Sequence, residues 1–234
     1  MLNWIDYYDS THTIYVSPHH RDLHFSVIAE DIIRHIPSPA AVVLDYACGE
    51  ALFAGRVADA CGQLILAEPA PGVRGRLAAR FETDPRITVR SLDELAELPP
   101  ASLDLAVMNS VAQYMTPAQF DTALSVIFRA LKPSGQLVLG DILKPDVGML
   151  ADVRALLHFA RRNGFLTDAL RGLISTALSD YRKLRTDFGL KRYSETEIID
   201  KLRAHGYSAR RAAENIGYNP YRMTFIATPD ASKH

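Results

Sequence analysis

The chain predicts an α/β fold: a seven-stranded, mostly parallel sheet with helices on both faces and an antiparallel strand pair at its C-terminal end. Three observations predict it. From residue 42 onward short apolar runs alternate with helical patterns, the arrangement of a parallel sheet covered on both sides. Two apolar runs, 42–46 and 64–67, each end in or beside an acid and lead into small residues. Finally, residues 207–214 and 221–228 have strand composition and are joined by Asn215-Ile216-Gly217-Tyr218-Asn219-Pro220, a connection short enough for antiparallel pairing.

Residues 1–16 are aromatic and polar without a clear period. Ser17-Pro18 then reads as a cap followed by a first-turn proline, and Phe25, Ile28, Ala29, Ile32, Ile33 and Ile36 mark one helical face until Pro37-Ser38-Pro39 ends it. The first strand, 42–46, opens into the turn Ala47-Cys48-Gly49-Glu50-Ala51, followed by a helix from about 50 to 60. Strand 64–67, helix 72–82 and strand 87–89 come next, then strand 103–108. Thr116-Pro117-Ala118-Gln119 combines a capping box with an early proline, and its helix runs to Lys132-Pro133-Ser134-Gly135 before a fifth strand at 136–141. Residues 146–192 interrupt the alternation with two helical stretches and no strand. Ser194-Glu195-Thr196-Glu197 opens the last capped helix, which stops at Gly206.

At 234 residues, 48% hydrophobic and with net charge −1, the chain is expected to form one domain over 1–234, with a helical N-terminal segment, 1–39, and a helical insert, 146–192. Near-neutrality argues against a surface drawn as a whole to nucleic acid or an anionic membrane. Two cysteines, Cys48 and Cys61, make no disulfide framework, and neither an export signal nor a run of about 20 apolar residues is present. The expected location is the cytosol.

Backbone can approach a ligand only where side chains are small, so the turn after the first strand is the expected binding loop. Glu68, closing the second strand, stands where a carboxylate reaches the hydroxyls of a ribose. A nicotinamide-dependent enzyme is the other reading of such a turn, but the Gly-x-Gly-x-x-Gly spacing is missing.

Asp45-Tyr46-Ala47-Cys48-Gly49-Glu50-Ala51, Glu68, Leu131-Lys132-Pro133-Ser134-Gly135 and the closing antiparallel pair together resemble the class I S-adenosylmethionine-dependent methyltransferases, over roughly residues 40–145 and 194–228. The resemblance implies a Rossmann-like fold and S-adenosyl-L-methionine as cofactor. It further implies that Asp45, Ala47, Cys48 and Gly49 face the methionine end, that Glu68 and Pro69 lie at the ribose, and that Ser91, Leu92 and Asp93 lie near the adenine. Asn109 and Ser110 would line the methyl-transfer site. The family's outer two motif glycines are Ala47 and Ala51 here. Alanine disfavours positive φ, so the turn is expected to keep an ordinary backbone there or to reshape the pocket slightly.

A sulfonium is already a strong electrophile, so the protein has mainly to align a nucleophile and, for a hydroxyl, remove its proton. Five of the eight histidines fall within the first 35 residues, and His20 and His24 share a helical face. With no third ligand in the pattern they are read as candidate bases or orienting groups rather than as metal ligands, and His158 in the insert is a third candidate. Between 152 and 192 nine basic residues, Arg154, Arg161, Arg162, Arg171, Arg182, Lys183, Arg185, Lys191 and Arg192, face four acidic ones. A solvated helix face is preferred to an anion-recognising lid. Leu156, Leu157, Phe159, Phe165, Leu166, Leu170, Leu173 and Ile174 could wall a pocket or form the buried side of the insert.

The expected activity is methyl transfer to a small, partly apolar molecule, with an oxygen acceptor favoured. Asn109 is followed by Ser110-Val111-Ala112 rather than by the Pro-Pro-Tyr that resembles amino-group methylation of bases. The alternatives are a non-catalytic cofactor-binding regulatory module and an RNA or protein methyltransferase. The oligomeric state is left open.

Overall fold

A computed structural model describes residues 4–9, 15–177 and 190–230. Seven strands form one sheet in the order β3-β2-β1-β4-β5-β7-β6: β1 Val42–Tyr46, β2 Gln63–Ala67, β3 Ile87–Arg90, β4 Leu103–Asn109, β5 Leu131–Ile142, β6 Tyr207–Arg211 and β7 Met223–Pro229. The first five run parallel, and β7 is antiparallel to both β5 and β6. The order reverses between β1 and β4, so a crevice opens beyond their carboxyl ends, where ligands bind in open α/β sheets.

Strand periodicity divides the core into two halves. Along β4, Ala106 and Met108 pack on the side that also buries Phe120, Leu124 and Ile127, whereas Leu105 and Val107 pack with Ile32, Val57 and Leu77. These second partners lie on α2 (Pro18–His35), α3 (Ala54–Ala58) and α4 (Pro71–Phe81). The first three lie on α5 (Pro117–Ala130). Both expected capping boxes form: Thr116 with Gln119 at α5, and Ser194 with Glu197 at α8 (Glu195–Ala204).

Four local differences from the sequence reading have physical causes. A short helix, α1 (Trp4–Asp9), lies in the stretch that shows no period, and Asp9 docks it by accepting a hydrogen bond from Val73 N at the start of α4 (3.1 Å). The first helix after β1 begins only at Ala54, because residues 47–53 are spent on the turn. Strand β5 already starts at Leu131, which pairs with Leu103 across a register shift. The β6 strand ends at Arg211 rather than 214.

The insert contains α6 (Met149–Arg162) and α7 (Leu166–Ala177). Ala160 and Ala169 on these helices and Phe165 between them make a third apolar cluster with Leu156, Leu157, Phe159 and, from the N-terminal side, Val16 and Leu23. The insert therefore rests on the start of α2. Arg182, Lys183 and Arg185 lie outside the described residues. No helix among those described is long and apolar enough to cross a membrane.

Candidate active site

The turn after β1 is tightly wound. Gly49 has φ +60°, and Ala47 and Ala51 also lie in the left-handed region, at φ +56° and +41°. The expectation of an ordinary backbone at the two alanines is thus corrected: the loop keeps a glycine-type path and carries the strain of two methyl groups. Tethers hold it there. Cys48 N donates to Ala67 O (3.2 Å), and Arg80 Nη2 reaches the carbonyls of Glu50 (2.6 Å) and Ala51 (2.8 Å). A Cβ built on Gly49 would meet nothing within 4 Å, so there is open space in front of this backbone. Burial pushes the Cys48 thiol well above its usual range, which leaves it a small packing group rather than a nucleophile.

Two carboxylates flank the turn. Glu68 is 4% exposed, and its two oxygens accept from Gly49 N and Ala70 N, both at 2.8 Å. One side chain thereby ties the β1 turn to the β2 turn. Burial raises its pKa, while these amides and Arg74 oppose the rise. Asp45 is held up at about 7, by burial first and by the charge of Glu68 second. Among the described residues no hydrogen bond to its carboxylate is recorded, so the group suits a ligand that brings its own positive charge.

The opposite wall comes from α2 and the β6–β7 connection. His20 and His24 stand one turn apart with ring centroids 6.3 Å from each other, and both meet Tyr15 and Tyr218. Phe159 of the insert stacks on Tyr218 at 4.3 Å and 11°. Burial lowers both histidines to about 4, so they are neutral at pH 7. Nδ1 of His20 accepts from Val16 N (3.4 Å), which puts its proton on Nε2, a buried donor with no partner among the described residues.

Between the two walls lie the ends of β4 and β5. Ser110 and Asp141 both have positive φ, +58° and +57°, and the Ser110 hydroxyl donates to Asp141 Oδ2 (2.9 Å). The pairing of β5 with β7 shifts register between Leu139 and Ile142, a bulge that re-aims Asp141. Gly140 leaves room beside it for the Asn109 side chain, whose Oδ1 a Cβ at 140 would displace. Arg222 brings Nε to 4.0 Å from Asp141 Oδ1 while Nη2 donates to Asp152 (2.6 Å), and Asn219 donates to the same Asp152 oxygen (3.0 Å).

The two carboxylates, the two histidines, Tyr15 and Tyr218, and Ser110, Asp141, Asp152, Asn219 and Arg222 border one cavity of about 690 Å³, within the range of small-molecule sites. Of the residues singled out from sequence, it brings together Asp45, Ala47, Cys48, Gly49, Glu68, Asn109, Ser110, His20 and His24. Pro69, Ser91, Leu92 and Asp93 are not among its lining residues; Ser91 N instead donates to Glu94 at the start of a 3-10 turn. His158 is exposed on α6, away from the cavity, so the structure does not place it as a base. None of the described basic residues of the insert borders the cavity either. Sequence reasoning missed Asp141, Asp152, Tyr218, Asn219 and Arg222. Only Asp141, an acid closing a strand after a glycine, carried a local signal. Among the described residues no group of three or more His, Cys, Asp or Glu could hold a metal ion.

Residues 43–135 match a family model described as a methyltransferase domain. A methyltransferase of Synechocystis sp. whose function is uncharacterised is 29% identical over 109 residues, which are 47% of this chain and 50% of that protein. The chain thus spans about half the length of this curated relative. Among solved structures, a chain from the complex of the Haloferax volcanii Trm112 methyltransferase activator with a methyltransferase superposes with TM-score 0.61 at 12% identity, covering 98% of this chain and 99% of that one. The DhpI complex with SAH gives 0.60 at 13%, covering 97% and 95%. Human N-acetylserotonin methyltransferase in complex with SAM gives 0.57 at 13%, covering 88% and 53%.

Proposed function

We propose, from the premise that residues 43–135 are a methyltransferase domain within the Rossmann-like class I S-adenosylmethionine-dependent fold, that this chain transfers a methyl group from S-adenosylmethionine to a small, partly apolar acceptor. One observation carries the reading: a single cavity runs from the carboxylates at the ends of β1 and β2 to an aromatic and histidine wall on α2.

In this reading the chain's own residues bind and orient. Asp45, whose carboxylate is raised by burial, takes the ammonium of the methionine end, and Glu68 uses the lone pairs left over from its two backbone amides for the ribose hydroxyls. The backbone of residues 47–51 approaches closely because its side chains are small. The bound sulfonium supplies the electrophilic methyl. Tyr15, His24, Phe25 and Tyr218 offer a flat apolar body to the acceptor, and Asn109 and Ser110 stand at the strand end between the two halves. The α6 helix of the insert lies against the acceptor end, since its Phe159 stacks on Tyr218. An oxygen acceptor is the favoured reading, since a hydroxyl can both donate to the carboxylates and accept from donors such as His20 Nε2 that border the cavity.

Incubation with radiolabelled S-adenosylmethionine and a metabolite extract is expected to label a small product. Label confined to RNA or protein would favour a macromolecular acceptor, and tight binding without turnover on any extract would favour a regulatory module.

A further inference from the structure

The methyl-transfer reading gives Asp141 no role, and the inference that follows rests on that reading. Ser110 and Asp141 lie at the ends of neighbouring strands, and both are non-glycine residues in the left-handed region. Such strain persists only where the surroundings over-determine it, and it concentrates at sites of function. Here the surroundings do so on every side. Asn109 Nδ2 donates to Ser110 Oγ (3.3 Å), Ser110 Oγ donates to Asp141 Oδ2 (2.9 Å), and Asp141 N donates to Asn215 Oδ1 (3.1 Å). Asn215 Oδ1 is itself fixed by the Thr224 hydroxyl (2.8 Å). The chain of donors has one direction: it commits the serine proton to Oδ2, while no hydrogen bond among the described residues is made to Oδ1. Arg222 could neutralise that oxygen, but Asp152 holds its Nη2 at 2.6 Å, and its Nε stops at 4.0 Å from Oδ1, outside hydrogen-bond distance.

We propose that Asp141 is the catalytic base of this site: its Oδ1 accepts a hydrogen bond from a hydroxyl or amine of the acceptor and takes that proton during transfer. The balance is simple. A lone pair of the acceptor oxygen or nitrogen forms a bond to the methyl carbon, the carbon–sulfur bond breaks with its electron pair going to sulfur, and the acceptor's proton passes to Asp141. Among the described residues the charged groups around this end of the cavity are Asp141, Asp152 and Arg222, which together carry one net negative charge. This end therefore selects neutral or cationic acceptors bearing a hydrogen-bond donor, and disfavours a carboxylate or phosphate at the reacting end. Burial raises the Asp141 pKa, while Arg222 and the Ser110 hydroxyl oppose the rise, which brings the carboxylate closer to the strength a base needs.

The test follows methyl transfer into the small-molecule fraction of an extract as a function of pH, for the wild type and for Asp141→Asn, Asp141→Glu and Ser110→Ala, with S-adenosylhomocysteine affinity measured calorimetrically on each. The wild-type rate is expected to rise with pH to a plateau as Asp141 ionises. Asp141→Asn should be slower by roughly 100-fold or more and lose that limb, with nucleoside affinity within about twofold of wild type. Asp141→Glu should restore the limb and part of the rate. Removing the Ser110 donor should move the limb to higher pH, a signature that a merely structural serine would not give. An Asn variant within roughly threefold of the wild-type rate with the same limb would overturn the base and leave the methyl-transfer reading standing. Loss of nucleoside binding together with rate would overturn it as well, by showing a structural role. A wild type that binds the nucleoside but labels nothing would defeat the methyl-transfer reading itself, and the base with it.

Discussion

The two ends of the cavity are built on opposite principles. At the β1–β2 end the two carboxylates and the close-approach backbone come from two short segments, 45–51 and 68–70, tied together by backbone amides on Glu68. At the β4–β5 end the groups come from α2, two strand ends, the insert and the approach to β7, so that Tyr15 and Arg222 border one space from opposite ends of the sequence. A site made of contiguous backbone holds a ligand shared by many proteins; one assembled from distant side chains can be rebuilt residue by residue for a particular acceptor.

The contrast breaks most sharply at Glu68. Glu68→Ala removes both the amide clamp and the proposed ribose contacts, and should weaken nucleoside affinity by about 1.5–3 kcal/mol, the worth of hydrogen bonds to a charged group. Calorimetry checks this, and unchanged affinity would refute the ribose assignment.

The two ends should also respond to pH with opposite sign. His20 and His24 have folded pKa values of about 4, below the ordinary 6.5, so the unfolded chain binds more protons between those values and stability is lost as pH falls through that window. His20→Phe should recover on the order of 2 kcal/mol near pH 4.5 in a denaturant titration and change little above about pH 7. Asp45 titrates at about 7 instead of 3.8, so here the native state binds more protons, and stability falls as pH rises from about 4 to 7. Asp45→Asn should therefore raise stability of the ligand-free protein above pH 7 by about 1–2 kcal/mol while weakening nucleoside binding and removing its rise with pH. Parallel loss of stability and affinity would contradict this.

The smallest effect lies in the turn. Ala47→Gly relieves a left-handed alanine at the cost of extra freedom in the unfolded chain, for a net gain of about 0.5–1 kcal/mol, or roughly 1–3 °C in Tm. The half-buried position of Ala47 makes it the cleaner test, since Ala51 is buried and its methyl contributes to packing.

What could be read from sequence follows the same division. Strand and helix positions, both capping boxes and the turn between Asp45 and Glu68 were legible, because each depends on residues within a few positions of one another. The left-handed path through Ala47 and Ala51 was not, since local preference argued against it and the tethers from Arg80 and Cys48 are tertiary. Neither was α1, a six-residue helix docked by one aspartate. His20 and His24 were legible as sharing a face; that Tyr218 would close against them was not, because nothing local links residue 218 to residue 24. His158 shows the converse. Its neighbours in sequence suggested a pocket, but the helix turns their apolar side to Val16 and Leu23 and leaves the histidine outside.

The central claim is that the crevice beyond β1 and β2 holds the nucleoside of S-adenosylmethionine between Asp45 and Glu68. Crystals grown with S-adenosylhomocysteine test it most directly: the account predicts density in the cavity with the ribose hydroxyls on Glu68 and the ammonium on Asp45. A nucleoside bound elsewhere, or a crevice left empty at saturating ligand, would contradict it.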